Sequence, residues 1–446
     1  MSQKLATARI EANNSQQQQR RLSLPLETSV QRMRTVEQVA LNPKDFHWAA
    51  ASDGPILVQC GSEFDRTLHR LVVEARRQLD SGHSLQSCQM YKCLPGRLGL
   101  VAELHPEVYR KRRNFHVFRS VAERFSAYRF NFLKLRPNEV LMQITDWPKS
   151  NEVQGGHKIV MTTQLRGHKP LLVPYLDKCL PQVLTSEGLG TAVKTMLLSN
   201  CRQLALGFNS PLAMCEVNQL HFELLYCPYS SKLGDQLAEK IADGLYTLKE
   251  WVLPAVAAQL TAQDLSQFIS RCLLVSNHFV ETNRPFNMVI GRSPRLDNDG
   301  GKDKSLLITS YFFPRQAVSP IAPKMTLCPS ASDMRGVVEI HSSAQFQNIT
   351  ESAVVRSFAE TAVLPSAEFD GIVDALKQRF LSPYRGRTTR SSLSASFTRL
   401  LNRYHNGAKL RTLSFKITVY AFYLLIIKPT VLKRSFYAKE IVATIQ

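Results

Sequence analysis

Several features that would place this 446-residue chain in a special class are missing from it. Its nine cysteines are odd in number and form no CxxC pair, which argues against a disulfide framework and against a zinc site. The first residues contain no apolar segment that resembles a secretion signal. These absences predict a cytoplasmic protein with reduced thiols that needs no essential metal and no other cofactor.

Acidic residues are also few, 36 against 56 lysines and arginines, and the net charge is +20. The excess is uneven: residues 385–446 carry +11 and residues 1–50 carry +3, which leaves +6 for residues 51–384. A basic tail is not a basic domain, and no nucleic-acid motif is present. We therefore predict a small anionic substrate and no nucleic-acid partner. Binding of nucleic acid or an anionic membrane through the tail remains a separate hypothesis.

The sequence divides into three parts. Residues 1–50 are polar and Gln-rich, with little periodic apolar pattern, and are predicted to be a disordered tail. Residues 51–384 form the predicted globular body. Residues 385–446 form a basic C-terminal tail, in which the apolar run 417–427 is too short to cross a bilayer comfortably. The sequence disfavours membrane contact through this run without excluding it.

Apolar periodicity in the body predicts an α+β fold. Strands alternate with hairpins and with a few long helices. The predicted strands are 130–135, 140–144, a hairpin of 158–163 and 170–174, 286–290 and 305–313. The predicted helices are 63–79, 187–206, 237–260 with a break at Pro254, and 369–380.

Residues 217–226 also predict a strand, and its alternation places Gln219, His221 and Glu223 on one face. One face can then pack on a core while the other presents a polar trio centred on one imidazole. A half-exposed strand of an ordinary antiparallel sheet alternates in the same way. The trio alone does not distinguish these two interpretations.

Ordered sequence blocks carry a family resemblance that favours the site. The blocks are 93–102 (CLPGRLGLVA), 130–135 (FNFLKL), 166–174 (RGHKPLLVP) with 179–182 (CLPQ), 206–210 (LGFNS) leading to 217–222 (VNQLHF), and 284–290 (RPFNMVI). In order and spacing they resemble the GDP-D-glucose phosphorylase and GDP-L-galactose phosphorylase family, histidine-triad nucleotidyltransferases related to galactose-1-phosphate uridylyltransferase. The resemblance spans roughly residues 57–382. It implies a histidine-triad-like antiparallel sheet with flanking helices.

The resemblance also implies the chemistry. His221 takes the position of the family's nucleophile, which attacks the α-phosphorus of a GDP-hexose before inorganic phosphate accepts the guanylyl group. Asn209 and Ser210 take the positions of donors to the phosphoryl oxygens, and His168 lies in a matching block where it could support the site. By analogy with the uridylyltransferases, the resemblance implies a homodimer.

Three departures from the family pattern support an alternative. Gln219 and Glu223, which the resemblance also implies as substrate- or phosphate-binding residues, replace the outer residues of the triad. Pro211-Leu212 stand where the family favours Leu-Gly. An ionised Glu223 accepts hydrogen bonds and would repel substrate phosphates, while Pro211 removes an amide donor. The alternative is a catalytically weakened or inactive member that binds guanine nucleotide or a protein partner.

Overall fold

Two β-sheets and seven α-helices make up the part of the chain that the computed structural model describes. The described residues are 36–51, 61–80, 90–104, 117–147, 156–162, 165, 169–226, 229, 231–261, 263–297, 305–318, 327 and 329–381.

Fifteen strands occur in these ranges. They are β1 (Glu37–Ala40), β2 (Ala49–Ala51), β3 (Met90–Cys93), β4 (Val101–Leu104), β5 (Val140–Thr145), β6 (His157–Val160), β7 (Leu171–Val173), β8 (Leu204–Asn209), β9 (Phe222–Tyr226), β10 (Glu239–Ala242), β11 (Leu245–Leu248), β12 (Ala255–Gln259), β13 (Phe286–Ser293), β14 (Ser305–Pro314) and β15 (Val337–Ile340).

The helices described are mostly short. They are α1 (Glu63–Asp80), α2 (Ser186–Leu197), α3 (Leu265–Glu281), α4 (Ala331–Met334), α5 (Ser343–Asn348), α6 (Glu351–Thr361) and α7 (Ser366–Leu381). Side-chain caps fix two helix starts: the Thr185 hydroxyl accepts from the Gly188 amide at 3.1 Å, and the Asp264 carboxylate accepts from the Gln267 amide at 2.9 Å.

The main sheet has twelve strands in the order β1-β5-β6-β7-β9-β8-β13-β14-β12-β11-β10, with β2 pairing to β14. All of its pairings are antiparallel except the parallel pair β1–β5. The registers Asn209 to Asn287 and Gly207 to Glu223 bring polar residues of β8, β9 and β13 side by side at the centre of the sheet. The second sheet has three strands in the order β15-β4-β3.

The main sheet has a separate hydrophobic core on each face. On one face the apolar sides of α1, α2, α3 and α7 pack against residues such as Phe208 and Phe286. On the other face the small sheet and α4–α6 pack against Ala205, Val289 and Tyr311. Burial of apolar surface on both faces is the main favourable contribution to stability. It also fixes which side of β9 each residue occupies.

The α+β class and the largely antiparallel sheet with flanking helices are confirmed. The hairpin of β6 and β7, the strand β5, the pair β13–β14 and the helices α1 and α7 lie where the sequence predicts them. Among the described residues, no helix combines the length and apolarity that a membrane crossing requires. The C-terminal tail lies outside the described residues, as does its apolar run.

Several predicted elements are wrong. The helix predicted over 187–206 ends at Leu197 and is followed by β8, and the helix predicted over 237–260 is the three strands β10, β11 and β12. Both errors have one main cause: β8, β11 and β12 are buried on both faces, and their continuous apolar runs mimic a buried helix. Gly244, with φ of 67°, makes the turn between β10 and β11. The strand predicted over 130–135 is the 3₁₀ turn Phe132–Lys134.

The N-terminal boundary is also wrong. Residues 36–50 belong to the predicted disordered tail, yet Glu37–Ala40 pairs in parallel with β5 and Ala49–Ala51 pairs with β14. Short edge strands need little apolar periodicity because sheet hydrogen bonds and flanking contacts hold them. Residues 1–35 lie outside the described residues, so the predicted tail is untested there.

Candidate active site

His221 lies immediately before β9, so the strand predicted from Val217 begins five residues later, at Phe222. Its ring Nδ1 lies 2.7 Å from the Gln219 carbonyl oxygen. Since a carbonyl only accepts, Nδ1 carries the proton and donates it. The other ring nitrogen, Nε2, then keeps its lone pair. The backbone therefore fixes the tautomer in which His221 can act as a nucleophile.

Gln182 holds the backbone of His221 in place. The His221 amide donates to Gln182 Oε1 at 2.9 Å. Gln182 Nε2 donates in turn to the carbonyls of Asn209 and His221, at 3.1 and 3.2 Å. The backbone amide of Gln182 donates to Asn218 Oδ1 at 3.0 Å. One buried side chain thus ties the end of β8 to the start of β9.

The His221 imidazole is buried, with 5% of the residue exposed. Phe132 packs edge-on against it, with ring centroids 5.3 Å apart. Burial lowers the pKa of His221 to about 4, and the hydrogen bond to the Gln219 carbonyl opposes this only in part. The ring is therefore neutral near pH 7, as an attacking imidazole must be. His221 with Gln182, Gln219 and Phe132 is called the His221 pocket below.

Gln219 supports this pocket through two hydrogen bonds to the backbone. Its Oε1 accepts from the Phe132 amide at 2.8 Å, and its Nε2 donates to the Leu176 carbonyl at 2.9 Å. The side chain is buried, with 1% of the residue exposed. Gln219 thus bridges two backbone segments and holds Phe132 against the imidazole. Its predicted contact with phosphate stays a prediction.

Glu223 lies in β9 and is held by two neighbours. Its Oε1 accepts from Asn209 Nδ2 at 2.9 Å, and its Oε2 lies 3.6 Å from the Lys169 ammonium. Lys169 also forms an ion pair with Glu339 of β15. Burial alone would lower the pKa of Lys169, but Glu339 and Glu223 outweigh it and raise that pKa. Lys169 is therefore firmly charged, and Glu223 shares its ammonium with Glu339.

A further carboxyl group completes this network. Burial and the neighbouring Glu339 raise the pKa of Asp333 to about 6, while hydrogen bonds from Ser330 oppose the change. Asp333 Oδ2 accepts from the Ser330 amide and hydroxyl at 2.8 and 2.7 Å. Lys169, Glu223, Glu339 and Asp333 are called the Glu223 ion cluster below. The cluster lies between the main sheet and the small sheet.

Asn209 and Ser210, the predicted phosphate donors, are engaged at the ends of β8 and β13. Asn209 Oδ1 accepts from Asn287 Nδ2 at 2.7 Å and from the Ala331 amide at 2.8 Å. Ser210 Oγ accepts from the Phe286 amide at 2.9 Å. These bonds fix the loop that leads from β8 to His221. Both side chains are buried and position the site.

The loop after Ser210 has strained backbone. Leu212 has φ of 65° and Met214 has φ of 69°, values in the left-handed region that glycine adopts at no steric cost. Leu212 is the position where the resembling family favours glycine. The loop has therefore kept the glycine conformation without the glycine. Asn287 Nδ2 stabilises it by donating to the Ala213 carbonyl at 2.9 Å.

The structure brings together five of the six predicted site residues, His221, Asn209, Ser210, Gln219 and Glu223, while His168 lies outside the described residues. Sequence reasoning missed the roles of Gln182, Phe132 and Lys169. Each of the three falls inside a block that carries the family resemblance, which is the signal that could have found them. Within the described ranges, no group of three or more His, Cys, Asp or Glu side chains is arranged to hold a metal ion.

Comparison with known proteins finds one family profile and several relatives that this chain resembles. The family profile "GDPGP1-like, N-terminal domain" matches residues 63–225. GDP-D-glucose phosphorylase 1 of Caenorhabditis elegans is 31% identical over 296 residues, covering 63% of this chain and 61% of that protein. The human GDP-D-glucose phosphorylase 1 is 25% identical over 284 residues, covering 62% and 74%. GDP-L-galactose phosphorylase 1 of Arabidopsis thaliana is 24% identical over 304 residues, covering 63% and 66%.

Over part of its length the chain is therefore similar to the GDP-D-glucose phosphorylase and GDP-L-galactose phosphorylase family. It spans about three fifths of the length of the C. elegans relative. Among solved structures, a yeast Ap4A phosphorylase covers 68% of this chain and 99% of its own at a TM-score of 0.45 and 11% identity. That likeness is too weak to identify a fold or a function.

Proposed function

We propose that this protein is a GDP-D-glucose phosphorylase-like nucleotidyltransferase that converts GDP-hexose and phosphate to hexose 1-phosphate and GDP. The observation that carries the proposal is the state of His221, which is buried, neutral and held through Nδ1 so that Nε2 keeps its lone pair. The names of the relatives in C. elegans, human and A. thaliana support GDP-glucose or GDP-galactose as the substrate.

The first half-reaction forms a covalent intermediate. Nε2 of His221 attacks the α-phosphorus, and an N–P bond forms as the bond from that phosphorus to the bridging oxygen breaks. Hexose 1-phosphate leaves with the electron pair of that bond. Nδ1 keeps its proton and its hydrogen bond to the Gln219 carbonyl, which stabilises the positive charge that develops on the ring.

The second half-reaction regenerates the histidine. An oxygen of inorganic phosphate attacks the guanylyl phosphorus, the N–P bond breaks, and GDP leaves. The electron pair returns to Nε2, and the ring is again neutral. Two displacements at phosphorus replace one difficult displacement, which is the benefit of a nucleophilic catalyst.

The departures from the triad pattern are compatible with this activity. Gln219 bonds to the backbone of Phe132 and Leu176, and Glu223 contacts Lys169 and Asn209. The Lys169 ammonium offsets one of the two carboxylates that it contacts, Glu223 and Glu339, so it reduces the repulsion that Glu223 would exert on the substrate phosphates. Both substitutions therefore act on the support of His221 and leave its reacting nitrogen unchanged.

The test is transfer of the guanylyl group to the protein. GDP-glucose labelled in its guanylyl part, given without phosphate, should label the wild type on His221, and added phosphate should release labelled GDP. His221→Ala should take up no label. His278→Ala, a matched change at another buried histidine, should be labelled like the wild type. Equal labelling of wild type and His221→Ala would overturn the nucleophile assignment.

A non-catalytic guanine-nucleotide binder is the second candidate function. The observation that favours it is the loop at Pro211 and Leu212, which lacks one amide donor and holds a strained residue beside the site. This candidate predicts nucleotide binding by calorimetry with no labelled histidine. In that event, the change of Leu212→Gly together with Pro211→Leu should restore labelling.

The cellular setting remains a proposal. Cys93, Cys179, Cys201, Cys215 and Cys272 are free thiols, which supports a cytoplasmic protein. Fractionation of cells that express a tagged chain tests this, and recovery from a secretory fraction would contradict it. The homodimer and the absence of a nucleic-acid partner stay predictions, which sedimentation and filter binding can check.

A further inference from the structure

A cavity of about 280 Å³ opens at the end of β8 that is remote from His221. Ala205 of β8 and Gly291 of β13 line its floor, together with Val289 and Tyr311. Ala205 precedes Asn209 by four residues, which places the floor about 13 Å along the strand from the catalytic end. The cavity is therefore separate from the His221 pocket.

The floor is apolar and unusually open. A Cβ atom built on Gly291 would meet only one atom within 4 Å, the Ala205 Cβ at 3.9 Å. Glycine within a strand weakens it unless something lies close to the backbone. Nothing from the described part of the chain fills the space above Gly291. Because Gly291 has no side chain, the space above it can hold the body of a ligand.

The walls carry an excess of positive charge. Arg202, Arg292 and Arg335 line the cavity, and Asp235 is the one carboxylate among its lining residues. Within the described ranges, no ion pair forms at Arg202 or Arg292, and the Asp65 carboxylate acts on Arg292 only by raising its pKa against the effect of burial. Arg335 donates to the backbone carbonyls of Leu225, at 2.6 Å, and Gln203.

Two of the arginines also have donors to spare. Arg292 Nη2 donates to the carbonyls of His47 and Ser199 at 2.7 and 2.8 Å, but its Nε and Nη1 are buried without a hydrogen-bond partner. Arg202 Nε is buried without a partner as well. Burial lowers the pKa of Arg292 to about 10, which leaves it charged at neutral pH. A buried cationic donor without an acceptor is costly, and an anionic ligand would relieve that cost.

We propose that this cavity is a second binding site, which takes a small molecule with a phosphate monoester, the phosphate on Arg202 and the organic body on the floor above Gly291. Guanidinium groups suit phosphate because they offer parallel donors in a fixed plane. A concave apolar floor with a few convergent polar groups is the usual form of a small-molecule site. The proposal does not depend on guanylyl transfer at His221.

The test is calorimetry of the full chain with phenyl phosphate, whose ring and dianion match the floor and the arginines. Arg202→Ala should raise the Kd at least about tenfold, since it removes a charged donor. Gly291→Leu should raise it by a similar factor by filling the floor. Arg356→Ala, a matched change at an exposed arginine, and His221→Ala should bind within about twofold of the wild type.

Either of two outcomes would overturn the proposal. If the wild type does not bind phenyl phosphate at millimolar concentration, the cavity is not a phosphate site. If Arg202→Ala binds as tightly as the wild type, the ligand lies elsewhere, and a parallel loss in His221→Ala would place it in the His221 pocket. Gly291→Leu could disturb the strand, so Arg202→Ala decides the result: Arg202 is partly exposed and its removal breaks no hydrogen bond described here.

Discussion

His221 and Glu223 are two residues apart in the sequence, yet their surroundings are opposite in character. The His221 pocket consists of uncharged groups: two carboxamides, a phenyl ring and backbone carbonyls. The Glu223 ion cluster contains three carboxyl groups around the Lys169 ammonium. Residue 222 between them packs into the helical core on the other face.

The difference shows how the surroundings of one short segment can shift the pKa values of two groups in opposite directions. Among neutral neighbours, burial disfavours charge and lowers the pKa of His221. Among charged neighbours, attraction outweighs burial and raises the pKa of Lys169. The imidazole is kept neutral, while the carboxyl group two residues away is paired with a charged lysine. A change in either region should therefore have a characteristic effect.

Removal of the cluster's cation should give the largest effect. Lys169→Met leaves Glu223 and Glu339 without the ammonium that both contact. Breaking a buried ion pair by removing one partner costs roughly 3–5 kcal/mol, because a buried charge is left uncompensated. Urea unfolding at pH 7 measures the loss.

Two variants test whether the loss comes from uncompensated charge. Lys377→Met, the same change in an exposed helix pair, should cost less than about 0.5 kcal/mol. Adding Glu223→Gln to Lys169→Met should restore part of the stability. A Lys169→Met protein as stable as the wild type would show that the cluster does not hold the two sheets together.

Acidification should distinguish the two regions, because their groups titrate with opposite sign. The pKa of His221 is about 4 in the folded chain and near 6.5 when unfolded. The unfolded chain therefore binds the proton more readily, and this group lowers stability by about 3 kcal/mol as the pH falls from 6.5 to 4. Asp333, whose pKa is raised to about 6, binds its proton more readily when folded, so it raises stability over the same range.

Urea unfolding between pH 7 and pH 4 checks both signs. His221→Asn should gain about 3 kcal/mol relative to the wild type as the pH falls, because the variant lacks the histidine contribution. Asp333→Asn should lose stability relative to the wild type over the same range. A His221→Asn difference that does not vary with pH would mean that the imidazole is solvated in the folded chain.

A smaller effect is expected at the residue that ties the end of β8 to His221. Gln182→Met keeps the shape of the side chain but leaves the His221 amide and the Asn209 carbonyl without their partner. Unsatisfied buried polar groups cost about 1–3 kcal/mol, and we expect about 2. The rate of guanylylation should fall more than the affinity for nucleotide, because the variant displaces the imidazole of His221 and leaves the imidazole itself unchanged.

Gln236→Met is the matched control for this prediction. Its amide donates to the Lys232 carbonyl at 2.9 Å in an exposed turn, so its loss should cost less than about 0.5 kcal/mol. An equal drop in nucleotide affinity and rate in Gln182→Met would indicate a general loosening of the site in place of a positioning role.

The fold could be predicted where the sequence shows one clear period. Helices α1 and α7 are amphipathic, and strands β5, β13 and β14 are bounded by turn residues, so their patterns are distinctive. The prediction failed at β8, β11 and β12, because strands buried between two layers have no polar face. The helix α3 was missed although its buried residues, such as Phe268, Cys272, Val275 and Phe279, recur at helical spacing.

The sequence predicted the central residue of the candidate site, but it did not predict the contacts that support that residue. A family resemblance assigned His221, and its role as the nucleophile stays a prediction. The role of Gln219 depends on the backbone of Phe132 and Leu176, which are distant in sequence. Lys169 links Glu223 to Glu339 of β15, which is more than a hundred residues from Glu223 in the sequence. Such contacts exist only after the layers assemble, so no local pattern encodes them.

The smallest predicted effect concerns the loop that joins the two regions. Leu212 has φ of 65°, a conformation that costs a residue with a Cβ about 1 kcal/mol relative to glycine. Leu212→Gly should therefore be more stable than Leu212→Ala by about 1 kcal/mol, since both lose the same packing and only glycine relieves the strain. At the neighbouring Ala213, where φ is not positive, glycine should be the less stable residue. Urea unfolding of the three variants measures these differences. If alanine and glycine at position 212 were equally stable, the loop would not hold the glycine conformation, and its strain could not account for any weakening of the enzyme.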